Sequence, residues 1–348
     1  MIKVGILGST GYAGAELTRL LASHPEVEIE FLDSRSYEDK EYLSIYPNLN
    51  KFLSQKCVRV DVESDNYLKS IDIMFCALPH GLSQRAVHRG LSLDIGVVDL
   101  SADFRLTDPQ TYEEWYKTPH QGVEDLKKAV YGLCEIYRDK IKGSQLVANP
   151  GCYPTSIILA LYPLLKENLV DLGTIIIDSK SGVSGAGRNL SDIALYGQCN
   201  ENVRAYGIGS HRHTPEIEQE ISFASNQQVT VQFTPHLIPM TRGILSTIYF
   251  KNRKHVSEVE LEEIYAGYYG KEYFIRSLER GSLPQTKSVS GSNFCEIGFK
   301  VDERTGHIVL VSAIDNLIKG AAGQAVQNMN IMMGYEESLG LKQTPIWP

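Results

Sequence analysis

The feature that most constrains the fold is the start of the chain. Ile2–Leu7 is a short apolar run, followed at once by Gly8-Ser9-Thr10-Gly11-Tyr12-Ala13-Gly14. Apolar residues then recur at helical spacing from Ala15 to about Ser23 and stop before Pro25, and a second strand-like run covers Val27–Asp33. Strand, glycine turn, helix, strand is a βαβ unit, and its crossover makes the two strands parallel. Glycines at 8, 11 and 14 form Gly-x-x-Gly-x-x-Gly, looser than Gly-x-Gly-x-x-Gly but with the same logic. A backbone without Cβ atoms approaches a pyrophosphate resting on a helix N-terminus. A plain tight turn is the alternative reading of the glycines alone.

Strand-like runs continue at 71–76, 95–100 and 146–148, alternating with helical stretches. This predicts a doubly wound α/β domain of Rossmann type over residues 1–150. The texture then changes. A helix is expected over 156–168, then strands at 174–177, 229–234, 244–251 and 307–313 with little helix between them. That pattern predicts an α+β domain over 151–315, closed by a helix over 316–333 in the C-terminal segment 316–348. The length of 348 residues suits two domains of roughly 150 residues each.

No apolar run approaches the ~18 residues of a membrane span. A net charge of −8 without a long basic run argues against nucleic-acid binding. The six cysteines (57, 76, 134, 152, 199, 295) contain no Cys-x-x-Cys pair, so they are expected to be free thiols of a cytoplasmic protein. The strand-like Met1–Val4 leaves no room for a signal peptide.

The nicotinamide cofactor is read from the end of the second strand. Asp33 sits near the position that binds a ribose 2′-hydroxyl in NAD enzymes. Ser34-Arg35-Ser36 follows at once, with a cation and two hydroxyls where a 2′-phosphate would lie. The balance favours NADP, with Arg35 as its main contact and a solvated loop arginine as the plain alternative.

Chemistry is concentrated in Asn149-Pro150-Gly151-Cys152-Tyr153-Pro154-Thr155. A cysteine at a turn before a helix is placed for thiolate chemistry, and the backbone N–H groups there suit an oxyanion. A lone cysteine is more often a small core residue; the turn sets Cys152 apart from the other five. In His211-Arg212-His213-Thr214-Pro215-Glu216, Thr214 reads as N-cap and Pro215 as the first helical residue. Both histidines then lie in the feeding loop, and either serves as acid/base for a thiolate. No further ligands with suitable spacing accompany them, so no metal is expected. His80, in Pro79-His80-Gly81, is a weaker candidate. Ser181-Gly182-Val183-Ser184-Gly185-Ala186-Gly187-Arg188 is not a nucleotide P-loop and wraps cofactor or substrate, or is merely flexible. In Ser101-Ala102-Asp103-Phe104-Arg105, the arginine follows a parallel strand and fits a phosphate or carboxylate as a fork; a surface ion pair is the bland reading.

Taken in order, GSTGYAGAEL, SRS, CALPHG, SADFR, NPGCYPT, SGVSGAGR, HRHTPEI and the closing NLIKGAAG resemble the N-acetyl-γ-glutamyl-phosphate reductase family, relatives of aspartate-semialdehyde dehydrogenase. The resemblance spans essentially the whole chain. It implies that Cys152 is the nucleophile and His213 the acid/base. It further implies Arg105, Asn149, His211 and Arg242 as substrate contacts. The cofactor contacts implied are Gly8 to Gly14, Ser34, Arg35, Pro79, Ser181, Gly182 and Asn316. It also implies a C-terminal segment returning to the first domain, a dimerisation role for the second, and a homodimer or homotetramer. The reaction implied is NADPH-dependent reduction of an acyl phosphate through a cysteine thioester, in arginine biosynthesis.

Four rivals stand beside it. A sister reductase acts on a carrier-bound aminoadipyl phosphate in lysine biosynthesis, but an acidic chain suits an acidic carrier poorly. Aspartate-semialdehyde dehydrogenase is weakened by HRHTPEI. A short-chain dehydrogenase would use Tyr162 and Lys166, but Pro163 intervenes. A non-catalytic NADP sensor has no need of a nucleophile.

Overall fold

The computed structural model describes residues 1–63 and 65–347. The chain divides into two compact units, the first being Met1–Pro150 with Ala321–Lys342, the second Gly151–Gly320 with the residues from Gln343 onward.

The first unit is built on seven strands: β1 (Ile2–Leu7), β2 (Val27–Asp33), β3 (Cys57–Val58), β4 (Ile73–Cys76), β5 (Gly96–Asp99), β6 (Val130–Tyr131) and β7 (Leu146–Ala148). They lie in the order β3-β2-β1-β4-β5-β7-β6, with every pair parallel. Val4, Ile6, Phe75, Val97 and Val98 are fully buried, as continuous apolar strands covered on both faces must be. The order reverses between β1 and β4, so a crevice opens beyond their C-terminal ends. The glycine turn leaves β1 there, and the Ala77–Gly81 loop leaves β4.

The helix Gly323–Met332 belongs to this unit and packs on the helices Tyr12–Leu21 and Cys134–Ile141. Its buried Asn328 donates to the Gly132 carbonyl at 2.9 Å and to Asn149 Oδ1 at 3.0 Å. The helix expected from Asn316 instead begins as a wide turn, Ile318–Ala322. The reason is local. Asp315 Oδ1 takes the N–H groups of Leu317 (2.9 Å) and Ile318 (3.2 Å), and the Asn316 side chain is engaged elsewhere.

The second unit holds β8 (Ile176–Ser181), β9 (Arg204–Ala205), β10 (Gln232–Leu237), β11 (Ile244–Lys251), β12 (Ile275–Ser277), β13 (Cys295–Asp302) and β14 (His307–Ile314). Their order is β12-β13-β14-β11-β8-β10-β9. The pairs from β13 through β14 and β11 to β8 are antiparallel, while β8 and β10 run parallel. Strand β11 matches its expected span. Strands β8 and β10 begin later than their apolar runs suggest, and β13 was not anticipated.

One apolar helix lines this sheet's core, packing on β11 and β14. The helix expected from Ser156 in fact runs Cys152–Lys166, so Cys152 is its first residue rather than part of the turn before it. Pro154 fits within the first turn, where a missing N–H costs nothing. Pro163 does not: it deprives the Leu159 carbonyl of its helical donor. The Tyr269 hydroxyl donates to that carbonyl at 2.7 Å. Tyr162 packs edge-on against Tyr268 and Lys166 is exposed, so the Tyr-x-x-x-Lys spacing builds no paired site.

Tyr269→Phe removes one buried hydroxyl and leaves the Leu159 carbonyl unanswered. Urea unfolding is expected to show a loss of about 1–3 kcal/mol with an unchanged m-value.

Candidate functional site

Each unit carries its own cluster of functional side chains. In the first, the glycine turn is shaped by two contacts. Gly8 has φ +76, and a Cβ there would lie 2.4 Å from the Ala77 carbonyl; a Cβ on Gly14 would lie 2.3 Å from the Gly8 carbonyl. Gly11 differs. A Cβ there would meet only the Gly8 carbonyl, at 3.7 Å, so this face of the turn is open. An open backbone at the start of the helix Tyr12–Leu21, whose first N–H groups have no helical partner, fits a pyrophosphate.

Asp33 is explained by the same turn. Its carboxylate is buried, with Oδ2 accepting from Gly8 N–H at 3.1 Å and Oδ1 from Val60 N–H at 2.9 Å. It ties β1, β2 and the turn together and is committed to backbone. Burial pushes its carboxyl above the usual range. Beyond it, Ser34 Oγ pairs with Thr10 Oγ1 at 2.7 Å, and Ser9 Oγ donates to the Asp33 carbonyl at 2.9 Å. The hydroxyls of Tyr42 and Tyr46 hold the carbonyls of Ser9 and Thr10, both at 2.8 Å. Neither tyrosine was singled out in the sequence. Arg35 stands exposed next to this lattice, and Tyr12 and Ala13 open the helix.

The loop with Pro79 and His80 is fixed by Asp103, which accepts from Gly81 N–H (2.7 Å), Tyr112 hydroxyl (2.7 Å) and Ser83 hydroxyl (2.9 Å). The SADFR and CALPHG segments are thus one structure. Arg105 departs from its expected role as an open fork. It is 8% exposed, and its Nε and Nη2 donate to the carbonyls of Asn149 and Leu100, both at 2.8 Å. That paired edge is spent on the backbone. Asn149 is buried as well and donates to the Ala321 carbonyl at 3.1 Å.

In the second unit, Cys152 opens a 15-residue helix whose N-cap, Gly151, offers no side-chain acceptor. A thiolate there faces the positive end of the helix dipole. The Gly151 N–H donates to Glu216 Oε1 at 2.8 Å, and Pro154 has none. Neither of these two positions therefore offers an oxyanion donor to this turn. A Cβ on Gly320 would lie 2.8 Å from Cys152 Cβ, so the chain leaving β14 comes close to Cys152 only because residue 320 has no side chain. The other thiols are worse placed. Cys57, Cys76, Cys134 and Cys295 are buried, and burial pushes Cys57 up to about 11. Cys199 sits in the four-residue helix Tyr196–Cys199.

His211 and His213 stand edge to face, with centroids 5.0 Å apart, and both rings meet Tyr153. The helix begins at Thr214 and His213 is its N-cap, one residue before the expected cap. The turn closes early because Thr214 N–H reaches the His211 carbonyl at 2.9 Å. His213 N–H donates to His211 Nδ1 at 3.1 Å, which places the His211 proton on Nε2. Burial, reinforced by the Arg212 charge, lowers His211 to about 4, so it is a neutral donor near pH 7. Tyr206, unflagged by the sequence, meets the Tyr153 hydroxyl at 3.0 Å and packs edge-on against His211.

Three more segments meet nearby in the same unit. Asn316 Oδ1 accepts from Gly243 N–H at 2.8 Å and its Nδ2 donates to Ser184 Oγ at 3.0 Å. Gly182 N–H donates to the Gly243 carbonyl at 2.9 Å, and Ser181 Oγ to the Gly182 carbonyl at 3.1 Å. Arg242 is one-third exposed and lies 3.6 Å from the fully buried Asp315 carboxylate. Ser181, Gly182, Arg242 and Asn316 thus share one loop cluster. Among the described residues no group of three or more His, Cys, Asp or Glu is arranged to hold a metal, and no helix is long and apolar enough to cross a membrane.

The model of the semialdehyde dehydrogenase NAD-binding domain matches residues 3–144, and that of the semialdehyde dehydrogenase dimerisation domain matches 152–316. A protein of Alkaliphilus metalliredigens named N-acetyl-gamma-glutamyl-phosphate reductase is 64% identical over 348 residues, covering 100% of both chains. One of the same name from Campylobacter jejuni is 50% identical over 98% of both. Aspartate semialdehyde dehydrogenase II of Vibrio cholerae superposes with a TM-score of 0.72 at 18% identity, over 96% of this chain and 99% of that one. The Candida albicans aspartate semialdehyde dehydrogenase solved with NADP gives 0.65 at 18% identity, over 95% and 98%. At such identities the likeness is one of fold.

The lowered His211 has a stability consequence. Between pH 6.5 and about 4 the unfolded chain binds a proton there that the folded chain does not. Its contribution is complete above 6.5 and is lost as pH falls through that window, by up to about 3 kcal/mol. Urea titrations at several pH values should show wild type losing more stability on acidification than His211→Gln.

Proposed function

The chain belongs to the N-acetyl-gamma-glutamyl-phosphate reductase family of semialdehyde dehydrogenases. From that premise we propose that it reduces N-acetyl-glutamyl 5-phosphate to N-acetyl-glutamate 5-semialdehyde and phosphate, in arginine biosynthesis. The observation that carries the reading is Cys152 on the first turn of its helix, in one unit with His211 and His213 packed on Tyr153.

In the reductive direction, the Cys152 thiolate attacks the acyl carbon. The bond from that carbon to the phosphate oxygen breaks, and phosphate leaves with the electron pair. The Cys152 and Tyr153 N–H groups face the oxyanion of each tetrahedral species. NADPH supplies the hydride that reduces the thioester. His213 donates a proton to the resulting thiohemiacetal oxygen and recovers it as the carbon–sulfur bond breaks, which frees the aldehyde and the thiolate. His211, neutral with its proton on Nε2, donates a hydrogen bond to the substrate. Arg242 holds the substrate carboxylate, steadied by Asp315. Arg105 and Asn149 act on substrate through the shape of the Asn149-Pro150-Gly151 turn.

NADP is held by the turn from Gly8 to Gly14, with Ser34 and Arg35 on the 2′-phosphate and Pro79 on the loop after β4. The first unit is thus the cofactor domain, completed by the helix Gly323–Met332, and the second is the catalytic and dimerisation domain. The enzyme works in the cytoplasm as a homodimer or homotetramer. Leu190, Tyr196 and Val203, 95%, 78% and 63% exposed in the second unit, supply apolar surface for subunit contacts.

Phosphate-dependent NADP⁺ reduction with N-acetyl-glutamate 5-semialdehyde tests this. Wild type is expected to turn over, and Cys152→Ala to lose roughly three orders of magnitude or more in kcat. Turnover surviving in Cys152→Ala would sink the thioester route. Arg35→Ala is expected to raise KM for NADPH by roughly 10-fold or more while leaving that for NADH little changed, since only the 2′-phosphate contact is lost.

A further inference from the structure

Neither of the two catalytic helices caps itself. The cysteine helix has Gly151 at its N-cap and the histidine helix has His213, and neither makes a side-chain cap hydrogen bond. A helix start of the capping-box kind answers the N-cap N–H with a Glu three residues on. This chain has one at Ser257, whose N–H donates to Glu260 at 2.7 Å. In the cysteine helix that third position is Pro154, which has no carboxylate.

Glu216 fills the gap from outside. It lies in the first turn of the histidine helix Thr214–Ser225, is 1% exposed, and accepts the Gly151 N–H at 2.8 Å. The two helices pack on each other within the second unit. One carboxylate therefore serves two helix starts, the dipole of its own helix favouring it there. The link joins the residue before Cys152 to a helix whose N-cap is His213.

We propose that Glu216 is a positioning residue: its carboxylate oxygen, by accepting the Gly151 N–H, sets Cys152 and its oxyanion donors in register with the histidine pair. The proposal rests on the reading of Cys152 as nucleophile. Its physical content is reach, not charge. An acceptor one methylene shorter leaves the Gly151 N–H unanswered and frees the turn to shift, and a shift near 1 Å at a reacting centre costs about 100-fold in rate.

Three substitutions separate the possibilities. Glu216→Asp keeps the charge and loses the reach; Glu216→Gln loses the charge and keeps an acceptor at the same reach; Glu216→Ala loses both. In the phosphate-dependent assay, Asp and Ala are expected to lower kcat by roughly 100-fold, with KM for the semialdehyde within about threefold of wild type. Glu216→Gln is expected to recover kcat to within about fivefold. The iodoacetamide alkylation rate of Cys152, measured without substrate, should change in the Asp variant and return towards wild type in the Gln variant. Wild-type kcat in Glu216→Asp, or a Gln variant as impaired as Ala, would overturn the proposal. Cys152→Ala run alongside keeps the two readings apart. If it is inactive while Glu216→Asp behaves as wild type, only the positioning role fails; if it is active, the nucleophile itself is wrong.

Discussion

A backbone that turns sharply inside a protein must have its freed N–H and C=O groups answered, and the functional segments here are all such turns. Glycine and proline make those turns possible but bring no side-chain partner of their own. The answer comes from polar side chains distant in sequence. Asp33 holds Gly8 and Val60, Asp103 holds Gly81, and Asp315 holds Gly291, Leu317 and Ile318. Arg105 does the reverse service for two carbonyls, and Tyr269 for a third. Each of these groups is worth little as a hydrogen bond and much as an absence, since an unanswered buried group costs about 1–3 kcal/mol.

Charged residues in these segments are therefore often committed to the backbone. Asp33 stands where a ribose-binding acid is expected, yet both oxygens are spent on the backbone. The competition between NAD and NADP signals in the sequence has a physical side: the acid belongs to the turn, and Arg35 beside it is exposed. Arg105 follows the same logic, an apparent anion fork whose paired edge is occupied by main-chain oxygens.

Much of the architecture was legible because periodicity and punctuation agreed. The βαβ start, the parallel strands of the first unit and β11 follow directly from apolar runs and glycine. Helix starts were less legible. Pro154 sits where no N–H is needed, so the helix extends back to Cys152, and Pro163, inside the expected helix, has its freed carbonyl covered by Tyr269. Strand β13 was missed because Gly298 and Lys300 interrupt its apolar run. At the site, motif residues were visible, but Tyr42, Tyr46, Tyr206 and the partners of Asp103 were not. Their roles depend on which distant backbone atom they reach, and no local pattern encodes that.

The first unit is not continuous in the chain. It needs both Met1–Pro150 and Ala321–Lys342, and the buried helix Gly323–Met332 supplies Asn328 to the Gly132 carbonyl. At ribosomal speeds of 5–20 residues per second, the interval between making Pro150 and making Ala321 is roughly 10–30 s. Through that interval the nascent sheet has its apolar flank uncovered and the Gly132 carbonyl unanswered, while Gly151–Gly320 of the second unit is being synthesised. The first unit is therefore begun first but stays open until the end of synthesis is near, and a chain released before its final thirty or so residues would lack the helix that closes it.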